Sequence, residues 1–527
     1  MVKWLNASIL EAILPAPCTL EGVDTARHNK VPGISVAFSR LDLIVVVAYL
    51  LAITMFGAHF RKSQHSLRDY FLGGRRLPWW AIALSVVSAE TSILTIISTP
   101  GIAYRSNMGF LQLVLGYLMA RVVVSFVFIP RYFAGELFTA YQLIEQRFGQ
   151  GLKIFTAALF LVTRALAEGV RVFAISIVIE VIFKTGVLSS VIIITVLTLF
   201  YTFEGGLTAV IWTDVVQFII YLTGTALALG LALNAIPGGW TEVVRVAHEA
   251  GNKFAVFDFR FNWRDPYLFW SGLVGGTFLT SASHGTDQLI VQRLLAARDK
   301  RQSQTALLSS GAVILFQFTL FLVVGVVLFA FYQRFPPSTP FARPDRVFPT
   351  FVVTQLPRGL AGLLIAAILA AAMSNLSAAF NSLASSSVMD FYKPFVRPGA
   401  DEKHYLRVSR GLTLAWGVVV ILIALLAQQL HQSVLELALT IASVPYGSML
   451  GIFLLGVLTR RATGLGALIG AILGLGALSL VTLANSAHIV SIAWTWYVAI
   501  GTSVTFAAGW VASVGLRSQE SGVRSQK

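Results

Sequence analysis

The sequence predicts an all-α integral membrane protein of about 13 transmembrane helices, each drawn from about 20 mostly apolar residues. Three observations carry that prediction. Hydrophobic residues make up 56% of the 527 and charged residues only 12%, against about 25% charged in a soluble domain. The mean hydropathy is +0.76. Apolar stretches of spanning length recur from near residue 41 to near residue 514. The single cysteine, Cys18, excludes a disulfide framework, an iron–sulfur cluster and a cysteine-based zinc site. No G-x-x-x-x-G-K-[ST] phosphate loop is present, so the chain does not read as an ATP-driven pump subunit.

In chain order the spans fall near 41–60, 79–104, 110–131, 152–183, 187–203, 207–235, 267–286, 305–333, 352–387, 408–429, 434–458, 464–484 and 489–514. The net charge of +15 fits Lys and Arg retained in cytoplasmic loops. Arg61, Lys62, Arg68, Arg75 and Arg76 follow the first span. Alternate connections then hold Arg131 with Arg147; Arg293, Arg298, Lys300 and Arg301; Lys393, Arg397, Lys403 and Arg407; and Arg460 with Arg461. The intervening short ones carry Arg105, Lys184 or His431 alone. This alternation puts the N-terminus outside and the C-terminus in the cytoplasm of a plasma (inner) membrane. The chain divides into an extracytoplasmic segment 1–40, a transmembrane domain 41–515 and a cytoplasmic tail 516–527, whose repeated RSQ reads as disordered.

Ionisable groups inside spans are costly unless paired or wetted, so each marks a functional hypothesis. The second span crowds Ser85, Ser88, Glu90, Thr91, Ser92 and Thr95 at mid-depth, ahead of Pro100 and Gly101. That composition favours local unwinding near Ser88–Ser92, which would turn backbone carbonyls toward a small cation. The bland reading is a tightly packed helix whose hydroxyls bond back to their own turn. In the ninth span Ser374, Ser377, Asn381 and Ser385 fall at i, i+3, i+7 and i+11. Such spacing lines one helical face with oxygens, suited either to a hard monovalent cation or to close helix packing. Asp214, beside Thr213 and Gln217, calls for a proton or sodium unless it snorkels from a helix end. Arg164, Glu168 and Arg171 share one helical stretch, where Glu168 can pair with either arginine. A leftover guanidinium would offer its planar fork to a carboxylate substrate. Asp287 and Gln288 follow Ser281, Ser283 and His284. No nucleophile–base pair, zinc helix or carboxylate dyad appears, so the chain does not read as an enzyme.

The stretches DYFLGGRRLPWWAIALSVVSAETS, GELFTAYQLIEQRFG, FEGGLTAVIWTDVVQ, TDQLIVQRLLAARD and MSNLSAAFNSLASSSVMDFY, in that order, resemble the sodium/solute symporter family of sodium–glucose, proline and sialic acid symporters. The resemblance runs from about residue 41 to 515. It implies a LeuT-like core of two inverted five-helix repeats, with one span before and two after. It implies a common sodium site at Ser88, Thr91, Ala371, Ser374 and Asn375, where Asn375 departs from the usual Ser or Thr. A second sodium site matches Asp214 and Ser377, with Ala378 in place of a following hydroxyl. Substrate contacts carry over to Glu90, Thr95, Asp287 and Arg164. The implied activity is sodium-coupled uptake of a small organic solute (sugar, amino acid or organic acid) by alternating access. Sodium is the coupling ion, no organic cofactor is called for, and the partners are solute, sodium and the bilayer, not nucleic acid. A monomer is the expected functional unit. The alternatives are a proton-coupled carrier of the same fold, titrating Glu90 or Asp214, and a sodium-leak channel or transport-like sensor.

Overall fold

A computed structural model describes residues 39–59, 73–135, 140–183, 186–201, 207–337, 339–429 and 434–525. The segment 1–40, except for its last two residues, and the orientation charges Arg61, Lys62, Arg68, Lys184 and His431 lie outside the described residues, as do the side chains of Ala378, Asn381 and Ser385. Helices dominate, and among the described residues no strand forms. A flanking helix α1 (Arg40–His59) precedes α2 (Trp79–Glu90), α3 (Ile93–Arg105), α4 (Leu111–Val123, prolonged through a π-turn to Tyr132), the short α5 (Ala140–Phe148), α6 (Gln150–Phe183), α7 (Val187–Tyr201) and α8 (Leu207–Ala235). A surface helix α9 (Gly239–Glu249) leads to α10 (Phe269–Gly285), α11 (Gln288–Leu295), α12 (Lys300–Arg334), the short α13 (Val347–Gln355), α14 (Leu360–Ser386), α15 (Glu402–Ala427) and α16 (Val434–Leu458). The last two are α17 (Gly464–Ser486) and α18 (Tyr497–Ser525). A helix stands at each span expected from the sequence. Among the described residues, by length and apolarity alone, 8 helices can cross a membrane, or up to 10 if the bent pairs α2–α3 and α6–α7 are each one span.

One difference lies at the C-terminus. The tail expected to be disordered continues α18 as far as Ser525. The tail contains no proline, and Gly522 lowers helix propensity without removing an N–H, so the i→i−4 ladder carries on from the preceding turns.

Two helices are broken at corresponding places. The α2–α3 pair bends by 65° at Thr91–Ser92, and α10 gives way to α11 at Thr286–Asp287. In both, a short oxygen-bearing side chain caps the second half: Ser92 Oγ accepts from Leu94 N–H at 3.2 Å, and Asp287 Oδ1 from Leu289 N–H at 2.9 Å. The first broken helix is followed by α4, α6, α7 and α8 and the second by α12, α14, α15 and α16, the element order a 5+5 arrangement calls for.

The first broken helix sits at the centre of the bundle. Its half α2 packs on α8, α11 and α12, while α3 packs on α12, α14 and α16. The approach of α3 to α12 is so close that a Cβ on Gly325 would stand 2.1 Å from the Pro100 carbonyl oxygen. A Cβ on Gly276 of α10 would likewise stand 2.3 Å from Leu113 O of α4. The helix α14 begins at Gly359, whose φ is +86° and which has no capping side chain. Asp42 of α1 supplies the cap instead, its Oδ1 accepting from Gly359 N–H at 2.7 Å and Gly362 N–H at 3.0 Å.

The connection between α12 and α13 closes one end of the core. There Asp345, fully buried, accepts from Ser98 Oγ of α3 at 2.5 Å and from Val434 N–H of α16 at 3.2 Å. Burial raises the Asp345 carboxyl above its usual range, outweighing those hydrogen bonds and the nearby Arg343 charge. A carboxyl raised in the folded state favours folding most at acid pH, and that contribution fades as pH rises through the raised value. Asp345→Asn cannot ionise, so its stability relative to wild type should increase as pH rises just above the ordinary carboxylate range. Thermal unfolding of both proteins across that range checks this. Asp345→Ala leaves both donors without an acceptor and should lose about 1–3 kcal/mol.

Candidate functional site

The break in the first core helix exposes backbone oxygens at mid-bundle. The Thr91 N–H still reaches Val87 O at 2.7 Å, but the Ser92 N–H turns to Glu90 O at 3.0 Å instead of to Ser88 O. The Thr95 N–H in turn bonds Ser92 O at 2.9 Å rather than Thr91 O. The carbonyls of Ser88 and Thr91 therefore lose the i+4 donors a continuous helix would supply. Both residues are buried, Ser88 at 2% and Thr91 at 0% exposure. Hydroxyl and amide groups from neighbouring helices fix this corner. Gln317 Nε2 of α12 donates to Thr91 Oγ1 at 2.7 Å, and Tyr221 OH of α8 donates to Gln317 Oε1 at 3.4 Å. With its hydroxyl so engaged, Thr91 has its carbonyl rather than its side chain left for a further partner.

Across from α3 runs α14. On it Ala371, Asn375 and Ser377 are buried and Ser374 is partly exposed. No three His, Cys, Asp or Glu side chains gather to hold a metal among the described residues. Sodium asks for no such cluster, since it takes neutral hydroxyl and carbonyl oxygens.

Each carboxylate near the break, Asp214 buried and Glu90 largely so, meets an arginine from another helix. Glu90, the last residue of α2, accepts from Arg121 Nη2 of α4 and faces His284 Nε2 of α10 at 3.5 Å. Arg121 also donates to Ser310 Oγ at 3.0 Å and Tyr117 O at 3.1 Å. Asp214 of α8, expected to seek a proton or sodium, has its Oδ2 bound by Arg293 Nη2 of α11 at 3.0 Å and by Ser85 Oγ of α2 at 2.6 Å. Arg293 Nε closes the triangle on Ser85 Oγ at 3.0 Å. This corrects one expectation, on Arg293, and adds to Asp214 a partner the sequence did not show. Arg293 is not a loop charge, because α11 continues inward and buries it at 2% exposure. Asp214 has a guanidinium as its counter-charge, because that cation, tethered on α11, is already in contact. Both Arg121 and Gln317 went unnoticed in sequence, although an arginine inside a span is itself a signal of a paired site.

Arg164 and Asp287 come together. With Phe160, Thr163, Ala167, Tyr446 and Met449 they line a small cavity between α6, α16 and the second helix break. Tyr446 OH donates to Asp287 Oδ2 at 2.8 Å. Glu168 is taken by Arg171 Nη1 at 2.5 Å, while Arg164 Nη1 stands 3.6 Å from the same oxygen. Arg164 Nε, 6% exposed as a residue, has no hydrogen-bond partner. The other residues expected to contact substrate do not line this cavity: Glu90 is held by Arg121, and Thr95 is buried one turn past the break.

The model of the Sodium:solute symporter family matches residues 70–474. The chain is 29% identical to the sodium/sialic acid symporter NanT of Aliivibrio fischeri, over 90% of this chain and 94% of that one. It is 31% identical to the human sodium/iodide cotransporter, over 88% of this chain and 71% of the relative. A Na+-coupled sialic acid symporter, solved substrate-bound and outward-open with a novel Na+ site, superposes with a TM-score of 0.77 at 26% identity, covering 90% of this chain and 98% of that chain.

Removing one partner of a buried ion pair leaves an uncompensated charge, which costs about 3–5 kcal/mol. Arg293→Gln should therefore lower the unfolding temperature of the purified protein markedly. Arg293→Gln with Asp214→Asn should recover most of the loss. Equal melting of Arg293→Gln and wild type would show the pair to be unimportant for stability.

Proposed function

The chain belongs to the sodium:solute symporter family, and from that premise we propose that it couples sodium entry to the uptake of a small organic anion whose carboxylate is held by Arg164. The observation that carries the anion reading is the incompletely paired guanidinium of Arg164. Arg164 is buried beside a cavity with its Nε unpartnered, and Arg171 holds Glu168 more closely, at 2.5 Å against 3.6 Å from Arg164. A carboxylate matches that planar fork with two parallel hydrogen bonds. The named cargoes of the two relatives, sialic acid and iodide, are also anions. Sodium rather than a proton is supported because Glu90 and Asp214 each face an arginine, which supplies the counter-charge a proton would otherwise bring.

In this reading sodium binds between the carbonyls of Ser88 and Thr91 and the oxygens of Ala371, Ser374 and Asn375, so that it ties α2–α3 to α14. Substrate then settles near Arg164, and the bundle rocks to open its other face. Asp214 and Ser377 remain the candidates for a second sodium, which would have to share Asp214 with Arg293. We place the protein in the plasma (inner) membrane with its N-terminus outside. A potential of 100 mV contributes about 2.3 kcal/mol per charge, and a tenfold sodium gradient adds about 1.4 kcal/mol. One sodium then sustains roughly 500-fold accumulation of a neutral solute. For a monovalent anion the same sodium carries the membrane step without net charge, so the potential drops out and only the concentration gradient drives uptake.

Two measurements test this. Proteoliposomes with an inward sodium gradient should accumulate labelled sialic acid or a monocarboxylate but not the matching neutral alcohol. Arg164→Gln should abolish that uptake, and equal transport of the neutral analogue would overturn the anion reading. Ser374→Ala should raise the half-saturating sodium concentration roughly tenfold if the hydroxyl contributes about 1.4 kcal/mol. An unchanged sodium curve would remove Ser374 from the ion's path.

A further inference from the structure

Between α9 and α10 the chain reads FDFRFNW from Phe257 to Trp263, and residues 257–262 form neither helix nor strand. Aromatic and polar residues alternate here, Phe257, Phe259, Phe261 and Trp263 against Asp258, Arg260, Asn262 and Arg264. A period of two sends alternate side chains to opposite faces of an extended ribbon, and the ring geometry agrees. Phe257 and Phe259 lie nearly parallel with centroids 5.8 Å apart and planes 6° from one another. Phe261 and Trp263 meet edge-on at 5.1 Å.

The two faces differ in what they still lack. On the polar face Arg260 forks onto Asp258, with Nη2–Oδ2 at 2.5 Å, and Asn262 Oδ1 accepts from Arg264 N–H at 3.0 Å. The aromatic face stands open. Phe257, Phe259, Phe261 and Trp263 are 58%, 62%, 57% and 48% exposed. Backbone bonds hold the ribbon in place, Phe269 N–H to Asp258 O at 2.8 Å and Ala493 N–H to Trp263 O at 2.7 Å. The open face also continues onto spanning helices. Phe259 touches Phe269 of α10 at 4.8 Å, and Trp263 touches Trp496, next to the start of α18, at 4.5 Å.

We propose that this ribbon lies in the interfacial layer of the bilayer, its rings at the acyl boundary and Arg260 and Arg264 toward headgroup phosphates. Its occupant is lipid. The rings continue onto an exposed face of α10, where Trp270 is 44% exposed. Aromatic rings flanked by arginine suit that layer, which is apolar on one side and hydrated on the other. The ribbon would then hold the first turn of the second broken helix at a fixed depth. A second copy of the chain seated on the same rings is the competing occupant.

The test is nitroxide scanning of Phe257, Asp258, Phe259, Arg260, Phe261 and Asn262, each changed to Cys in a Cys18→Ser background. The proteins are placed in phosphatidylcholine–phosphatidylglycerol vesicles. Labels at the ring positions should lose collisions with a water-soluble nickel chelate and gain collisions with oxygen, alternating with the polar positions. Uniform nickel access along the ribbon would overturn the proposal. So would shielding of the ring positions from both reagents, which would indicate a protein partner. A label-free check uses brominated lipid, which should quench a smaller share of the emission in Trp263→Phe than in wild type. An equal share would count against the proposal.

Discussion

An unpaired backbone carbonyl inside a bilayer costs several kcal/mol, because no water is at hand to satisfy it. The rest of this structure depends on how that cost is met at Thr91–Ser92. The helix breaks there, Ser92 caps the new N-terminus, and the carbonyls of Ser88 and Thr91 are left turned out of the ladder. A dehydrated cation is a natural partner for such oxygens, and its arrival would join the two halves of the broken helix to whatever else ligates it. The tight seats of α3 on α12 and of α4 on α10 keep the break from relaxing into an ordinary kink. The trans cap from Asp42 steadies the start of α14, so that the opposing helix is also held.

Charge is arranged with the same economy. Glu90 pairs with Arg121, Asp214 with Arg293 and Glu168 with Arg171. Two of these pairs cross between helices, α2 to α4 and α8 to α11, which makes them registers for helix position as much as sources of stability. The third keeps to α6, where Arg164, at the cavity, stands farther from the same Glu168 oxygen than Arg171 does.

Much of this was legible in the sequence, and the exceptions have physical reasons. Hydroxyl side chains crowding Ser85–Thr95 announce a helix that competes with its own backbone, and the structure breaks it there. The spans themselves follow from apolar length. The pairing of Asp214 with Ser85, 129 residues apart, cannot be read from local pattern. Arg293 was misjudged because a tally of basic residues near span ends treats each as a loop charge, whereas a short second half-helix carries this one inward. Arg121 lay in plain view within an apolar run, where the rule on intramembrane charge would have found it. Glu168 had two equivalent partners by spacing, and only side-chain packing decides that Arg171 takes it.

The most direct measurement is a pair of high-resolution density maps of the protein in lipid, one in sodium and one in choline. The account requires a sodium-dependent peak ligated by the carbonyls of Ser88 and Thr91 and by oxygens of α14. If both maps show those carbonyls bonded within the protein, or an apolar side chain filling the space between α3 and α14, the ion does not bind at the helix break and the coupling scheme fails.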